Sequence, residues 1–273
     1  MLEARPTVLI TGIAGNLGRR LFLQLPDFNV VGVDLAPPAG LGLARFASLD
    51  LGNEASCRQL TQLLQESRAS ALVHLAFVID PVRTGVTEVE RMWQINVAGT
   101  ARVMEAISVV NRDDCQVRKF VFPSSVSAYG SDLPEPVKED FPLGGHTLPY
   151  AIHKRESDLV AQRRARELFD CRTYILRPHI YAGASVHNYL LGAFRGTPTG
   201  SSARAARWRA QGKRLPCMLP LGRGYREKLF QFVHVDDVAR LIAHILRRSA
   251  RDPQLTILNV AGRGNPITVG ECI

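Results

Sequence analysis

Long hydrophobic runs, paired cysteines and nucleophile-elbow motifs are all missing from this chain. No stretch of its 273 residues reaches the ~20 consecutive apolar residues that a membrane-spanning helix needs. The N-terminus has no basic leader ahead of an apolar run, so we expect no signal peptide. No GxSxG sequence occurs, which disfavours a serine hydrolase. With 46% hydrophobic and 22% charged residues, the composition is that of a globular protein and excludes a disordered chain.

The cysteines are few, odd in number and widely spaced, at positions 57, 115, 171, 217 and 272. No CxxC motif and no Cys/His pair at zinc-ligand spacing is present. We therefore expect a reducing, cytoplasmic environment, no structural disulfide and no metal site. The cysteines are interpreted as small buried hydrophobic residues.

Positive charge is concentrated in one segment. The chain has a net charge of +9, whereas residues 195–251 contain thirteen Lys or Arg and three acids, so the remainder is close to neutral. Residues 196–214 contain no acid, and they predict a flexible or partly helical surface loop. Nucleic-acid binding through Trp208 and its basic neighbours would be the alternative. Since the charge is local, we expect an anionic small-molecule substrate or a basic lid, and neither nucleic acid nor membrane as a partner.

Strand-like and helix-like patterns alternate along most of the chain. Short β-branched apolar runs predict strands, and amphipathic segments between them predict helices. This alternation predicts an α/β fold with a Rossmann-type, doubly wound parallel sheet, which binds ligands beyond the carboxyl ends of its strands. The predicted strands cover 7–12, 29–35, 70–78, 119–125, 171–178 and 256–262, the predicted helices 16–25, 53–67, 86–110 and 150–169, and 230–249 is predicted as a strand followed by a helix.

A glycine-rich loop, TGIAGNLG, joins the first predicted strand to the first helix. Gly12 would permit a tight turn, Gly15 a close approach of phosphates, and Gly18 close packing of the helix on the strand. The spacing is GxxGxxG rather than GxGxxG. A dinucleotide diphosphate would meet the start of the helix, so Asn16 and Leu17 are further candidate contacts.

Asp34 ends the second predicted strand, about 20 residues beyond the loop, where a carboxylate can accept hydrogen bonds from an adenosine ribose. It would repel a 2′-phosphate, and no Arg follows closely. The sequence therefore predicts NAD rather than NADP.

Tyr150 and Lys154 are four residues apart at the start of a predicted helix and therefore share a face. A phenol has an unperturbed pKa near ~10, and a neighbouring ammonium lowers it. Ser125 follows the preceding strand and can bind a substrate oxygen. Together the three residues form a proton-transfer set for a secondary alcohol or ketone.

These motifs resemble the extended short-chain dehydrogenase/reductases, in the NAD-dependent epimerase/dehydratase family. The resemblance implies that Asp50 and Leu51 lie near the adenine and that Leu75 and Ala76 line the cofactor. It also implies that Asn96 supports the active-site helix beside the cofactor, and that Ser125, Tyr150 and Lys154 are catalytic. The matching sequences run in family order from residue 7 to 262: TGIAGNLG, Asp34, LDL (49–51), HLA (74–76), NVAGT (96–100), SSVSAYG (124–130), YAIHK (150–154), LRP (176–178) and HVDD (234–237).

Three further residues are candidate substrate contacts, namely Ser127, Tyr129 and His179, although Tyr129 could instead pack in the interior. His74 and His153 are interpreted as structural, and His234 and Asp236 as bracing the fold.

We expect residues 1–178, joined again by 230–262, to form the NAD-binding domain. Residues 179–229 and 263–273 would form a small substrate lobe that is either minimal or truncated. The family also implies a homodimer formed through the helices at 86–110 and 150–169.

Two positions depart from the sugar-nucleotide epimerases of this family. Ile180 stands where they usually carry Asn, and Phe230 where they often carry an Arg that grips a diphosphate. The leading hypothesis is an epimerase/dehydratase-type oxidoreductase acting on a sugar or sugar nucleotide. A hydroxysteroid-dehydrogenase-like enzyme or ketone reductase with net turnover of NAD(H) is the alternative. A non-catalytic NAD sensor on the same fold is a second.

Overall fold

The computed structural model describes residues 5–79, 84–114, 116–131, 133, 136–168, 170–186, 196, 202–215, 224, 226–248 and 252–272. We number its strands and helices in chain order. The strands are β1 (Thr7–Thr11), β2 (Asn29–Asp34), β3 (Arg45–Ser48), β4 (Ala71–His74), β5 (Lys119–Pro123), β6 (Arg172–Pro178), β7 (Ile180–Ala182), β8 (Leu229–Phe230), β9 (Phe232–His234), β10 (Leu255–Val260) and β11 (Ile267–Thr268). The helices are α1 (Asn16–Leu23), α2 (Ser56–Ser67), α3 (Val89–Trp93), α4 (Gly99–Asp114), α5 (Pro149–Ala165), α6 (Ala203–Ala210) and α7 (Val235–Arg247).

The central sheet has seven strands in the order β10-β6-β5-β4-β1-β2-β3, and every neighbouring pair is parallel. The chain runs outward from β1 to β3, then crosses back to place β4 on the other side of β1. This reversal opens a crevice at the carboxyl ends of β1 and β4, where doubly wound sheets bind ligands. The predicted Rossmann-type fold is confirmed.

Each face of the sheet is covered by a separate apolar cluster. One cluster joins α2 and α4 to the sheet through residues such as Leu64, Met104 and Phe120. The other joins α1 and α7 through Leu21 and Ile242. Both faces of the strands are therefore buried, which explains why the strand sequences are continuous apolar runs rather than alternating ones.

Helix α5 differs from the other sheet-covering helices because much of its buried face is polar. Three alanines are buried alongside four polar residues, His153, Lys154, Ser157 and Asp158. Asp158 receives two hydrogen bonds from Arg177 on β6, at 2.9 and 3.0 Å, and both side chains are at most 1% exposed. Buried polar groups must be paired to be tolerated, so these bonds determine where α5 sits on the sheet.

The structure departs from the predicted elements in several places. The predicted helix 86–110 is interrupted by a π-helical segment, Gln94–Ala98, between α3 and α4. Strand β3 was not predicted, nor were two small sheets, a parallel one of β7 and β9 and an antiparallel one of β8 and β11. Helix α6 makes part of the basic segment helical, as expected. The division into domains stays a prediction.

No helix in the described part of the chain combines the length and apolarity needed to cross a membrane. Within the same residues, no cluster of three or more His, Cys, Asp or Glu side chains could hold a metal ion. Cys57 and Cys272 carry free thiols. Cys115 and Cys217 lie outside the described residues.

Replacing Arg177 with Met should lower the free energy of unfolding by about 3–5 kcal/mol, because it leaves the buried Asp158 carboxylate without its partner. Urea denaturation would measure the change. Arg240→Met is a matched control, since Arg240 forms an exposed pair with Asp237 whose loss should cost less than about 1 kcal/mol. Equal losses in the two variants would contradict the assignment.

Candidate active site

The glycine loop packs directly against the chain that follows β4. Gly12 has φ +72°, and a Cβ there would lie 2.5 Å from the backbone nitrogen of Ala76. A Cβ at Gly18 would lie 2.6 Å from the carbonyl oxygen of Gly12. Any larger residue at either position would therefore push the loop away from β4 or the helix away from the loop.

The start of helix α1 fits an anion such as a dinucleotide diphosphate. Gly15 is the N-cap and supplies no side chain, and the first turn, with Asn16, Leu17 and Gly18, contains no acid. The backbone N–H groups of a first helical turn have no intrahelical acceptors, and the helix dipole adds positive potential there. The three predicted contacts thus stand where an anion would be held.

Asp34 is connected to the glycine loop by hydrogen bonds. One carboxylate oxygen accepts from the Ala14 backbone N–H at 2.9 Å and the other from the Leu35 N–H at 2.8 Å. A carboxylate has about four lone-pair positions, so two remain for ribose hydroxyls. Asp34 can therefore both shape the loop and bind a ribose.

Asp50 and Leu51 follow β3 at the same edge of the sheet. One Asp50 oxygen accepts from the Gly52 N–H at 2.9 Å, and the other pairs with Arg91 on α3. Leu51 is buried in the core, while Leu75 and Ala76, after β4, are half-buried. The sequence prediction missed Arg91, because its partner lies 41 residues away.

Lys154 is buried at the carboxyl end of β5, with 5% of its surface exposed. Its Nζ donates a 2.7 Å hydrogen bond to the carbonyl of Pro123 and lies 3.7 Å from the centre of the Phe77 ring. Burial lowers the pKa of this ammonium to about 7, and the Asp158 carboxylate partly opposes that effect. The carbonyl and the aromatic face also stabilise the charged form.

Tyr150 lies one residue into α5, after Pro149 at the first helical position. Its ring meets the Phe77 ring edge to face, with centroids 6.1 Å apart. Phe77 thus contacts both Tyr150 and Lys154, although the sequence prediction did not name it. The available signal was its place directly after the HLA motif.

Ser125 lies in the turn after β5 and is 9% exposed. Its Oγ accepts hydrogen bonds from the backbone N–H of Ser127 at 3.1 Å and from the Ser127 hydroxyl at 2.9 Å. With two bonds accepted, the Ser125 hydroxyl proton remains available for donation to a substrate oxygen. Ser127 therefore contacts the predicted catalytic serine.

Tyr129 and His179, the other two candidate substrate contacts, occupy different surroundings. Tyr129 is 2% exposed, and its hydroxyl bonds Arg177 and Asn259, both at 2.7 Å. This environment matches the packing alternative. His179 is half-buried, and burial lowers the pKa of its imidazole.

Asn96 is fully buried in the π-helical segment. Its amide exchanges two hydrogen bonds with the backbone of Val78, at 2.7 and 3.1 Å, and its nitrogen is 3.3 Å from Nδ1 of His153 on α5. These contacts connect the chain after β4 to α5 and match the predicted supporting role. They also use both polar atoms of the Asn96 side chain.

Asn16 and Arg20, on α1, contact the segment after β7. The Asn16 amide donates to the backbone oxygen of Ser185 at 2.8 Å, and Arg20 pairs with Asp236 at the start of α7. Helix α1 is thus attached to the segment after β7 and to the start of α7. Asp236 thus braces α7 against α1, the role that the family resemblance implies.

A sequence model described as the NAD dependent epimerase/dehydratase family matches residues 8–261. This match confirms the predicted family and enzyme class, and the family's description names NAD, the cofactor that the glycine loop and Asp34 predicted. The individual site residues stay predictions.

Among curated proteins, the chain is 28% identical to a UDP-glucose 4-epimerase of Erwinia amylovora, over 63% of this chain and 52% of that protein. It is 27% identical to a UDP-glucose 4-epimerase of Pisum sativum, over 72% and 59%. The chain thus spans about half the length of these relatives. Among solved structures, MoeE5 in complex with UDP-glucose and NAD is 27% identical, with a TM-score of 0.70 over 97% of this chain and 79% of that one.

The free energy of unfolding should fall as the pH drops below about 6.5, because burial and the nearby Lys154 charge lower the pKa of His74 from 6.5 to about 3. The unfolded chain protonates this imidazole below its unperturbed pKa while the folded protein keeps it neutral. Folding stability from His74 is therefore complete above that pH and is lost toward pH 3, at up to about 1.4 kcal/mol per pH unit.

Urea denaturation of the protein and of His74→Gln, between about pH 7 and about pH 4, measures this contribution. In His74→Gln, the free energy of unfolding should depend less steeply on pH, and the difference in slope should correspond to the uptake of about one proton. His153 and His179, whose pKa values burial also lowers, contribute equally to both proteins. Parallel curves would contradict the prediction.

Proposed function

Because the chain belongs to the NAD-dependent epimerase/dehydratase family, we propose that it oxidises a secondary alcohol carbon of a sugar nucleotide with NAD. The observation that carries this proposal is the grouping of Tyr150 and Lys154 around Phe77, at the edge of the sheet that also bears the glycine loop. Proton transfer and dinucleotide binding would thus meet in one crevice.

The arrangement of the side chains supports the following roles. Tyr150 would take the proton of the substrate hydroxyl, and the Lys154 ammonium would lower the pKa of the phenol. The Ser125 hydroxyl, already accepting two bonds from Ser127, would donate to the same substrate oxygen. When bound, NAD supplies the hydride acceptor. Gly12, Gly15, Gly18 and Asp34 would hold it.

The relatives support a sugar nucleotide as substrate. UDP-glucose 4-epimerases and the UDP-glucose complex of MoeE5 are among the proteins that this chain resembles. The diphosphate of such a substrate is anionic. It therefore agrees with the anionic substrate that the basic segment of this chain predicts. Exposed Arg204 and Arg209, on α6, and Arg226 are basic side chains of this segment within the described residues.

Two positions favour the second candidate, a dehydrogenase or reductase with net turnover of NAD(H). Phe230, at the position where relatives often place a diphosphate-binding Arg, packs against Phe232 with ring centroids 6.4 Å apart. The Ile180 side chain has no hydrogen-bonding group where an Asn is usual. An apolar substrate such as a hydroxysteroid would suit both residues.

We also infer a homodimer formed through α4 and α5, the helices that the family uses for this purpose. Their outer surface carries the Glu105–Arg164 ion pair at 3.0 Å and the partly exposed Leu159. Light scattering of the purified protein would test the dimer. A monomer at every concentration would contradict it.

Tyr150→Phe should lower kcat by about 10²-fold or more, because it removes the hydroxyl group that would take the substrate proton. The affinity for NAD should remain nearly unchanged. Steady-state kinetics and isothermal titration with NAD would measure the two quantities. Tyr174→Phe is the matched control, since the Tyr174 hydroxyl bonds Asp252 away from the site. Full activity in the Tyr150 variant would overturn the assignment.

Incubation with UDP-glucose or UDP-galactose should interconvert the two sugars without accumulation of NADH, because an epimerase returns the hydride that it removes. Product analysis together with NADH absorbance distinguishes the candidates. Net NADH formation with an alcohol substrate would favour the dehydrogenase. NAD binding without turnover on any substrate would favour the sensor.

A further inference from the structure

His74, the last residue of β4, lies at the centre of a buried chain of hydrogen bonds and is 1% exposed. Its Nδ1 is 2.7 Å from the hydroxyl of Thr11, its neighbour on β1, and its Nε2 is 3.0 Å from the hydroxyl of Thr100 on α4. The imidazole also stacks on the ring of Phe122, with centroids 5.6 Å apart. Each ring nitrogen thus has a defined partner.

The direction of every bond in this chain follows from the partners. The Thr100 hydroxyl lies 2.7 Å from the carbonyl of Asn96, which can only accept, so Thr100 donates its single proton there. Nε2 of His74 must therefore donate to Thr100. Nδ1 of the neutral ring then carries no proton and accepts from the Thr11 hydroxyl, which itself accepts from the Ala76 N–H at 3.3 Å.

The two ends of this series of hydrogen bonds reach opposite sides of the candidate active site. Thr11 precedes Gly12 at the start of the glycine loop, and Ala76 packs against that glycine. At the other end, the Asn96 carbonyl also accepts from Ser157 on α5 at 3.0 Å. His74 thus connects the loop that would bind the cofactor to the helix that carries Tyr150 and Lys154.

We propose that His74, as the neutral tautomer protonated on Nε2, is a positioning residue that sets the glycine loop in register with α5. Its effect on turnover rests on the proposed function, whereas its tautomer and its effect on NAD binding do not. A positively charged imidazole would reverse the bond to Thr11, because Nδ1 would then donate to the hydroxyl instead of accepting from it. Misplacement of reacting groups by about 1 Å can lower a rate about 10²-fold, so loss of this register should appear mainly in kcat.

Single substitutions distinguish the hydrogen bond at Nδ1 of His74 from the hydrogen bond at Nε2. Asn at position 74 keeps an acceptor near the Nδ1 position and loses the donor to Thr100, whereas Gln keeps a donor near the Nε2 position. His74→Asn and Thr100→Val remove the same hydrogen bond. Thr173→Val is the matched control, because Thr173 is equally buried and its hydroxyl has no hydrogen-bond partner in the described part of the chain.

Thr100→Val should lower kcat about tenfold or more with little change in KM, and Thr173→Val should change kcat less than about twofold. Adding Thr100→Val to His74→Asn should cost less than the sum of the two single effects, since both remove the His74–Thr100 bond and only the bond from Thr100 to the Asn96 carbonyl is newly lost. The primary deuterium isotope effect on kcat should rise in His74→Asn, because hydride transfer becomes slower relative to the other steps. A change in stability alone would not produce that rise.

Nuclear magnetic resonance of ¹⁵N-histidine-labelled protein tests the tautomer without any turnover, and NAD titration tests the loop. We expect a proton on Nε2 at neutral pH, and weaker NAD binding in Thr100→Val than in Thr173→Val. A proton on Nδ1, equal kinetics for Thr100→Val and Thr173→Val, or additive effects in the double variant would overturn the proposal. If the unaltered protein turns over no substrate, the proposed function fails, and the same comparison of variants is read in the NAD dissociation constants.

Discussion

The pairing of buried polar groups on helix α5 is the constraint on which the site depends. The hydrophobic effect has no preferred direction, whereas each buried charge or hydroxyl accepts only a narrow range of partner positions. Asp158 holds α5 to β6 through Arg177, Lys154 holds it to the end of β5, and Ser157 holds it to the π-helical segment. Because Tyr150 lies on the same helix, these bonds also fix its position.

The doubly wound parallel sheet and the glycine loop could be predicted from the sequence, because both rest on local signals. Short apolar strands, a loop rich in glycine and a Tyr–Lys pair four residues apart all appear within windows of a few residues. The crevice at β1 and β4 then follows from the rules of doubly wound sheets. Local motifs alone therefore predict Ser125, Tyr150 and Lys154 as site residues.

The partners of these residues could not be predicted, because they are distant in the chain. Arg91 reaches Asp50 across 41 residues, and Arg177 reaches Tyr129 across 48. The π-helical segment has no sequence signature of its own and is stabilised by the bonds of Asn96 to Val78 and His153. The small sheets of β7 with β9 and β8 with β11 contain strands of two or three residues, too short for a periodic pattern.

The Lys154 pKa of about 7 links ligand binding at this site to proton uptake. Near neutrality the amine is divided between its charged and uncharged forms. A ligand whose oxygen atoms accept hydrogen bonds from Nζ selects the charged form and so draws a fraction of a proton from solvent as it binds. Its apparent affinity therefore weakens as the pH rises above neutrality, and its heat of binding depends on the ionisation enthalpy of the buffer.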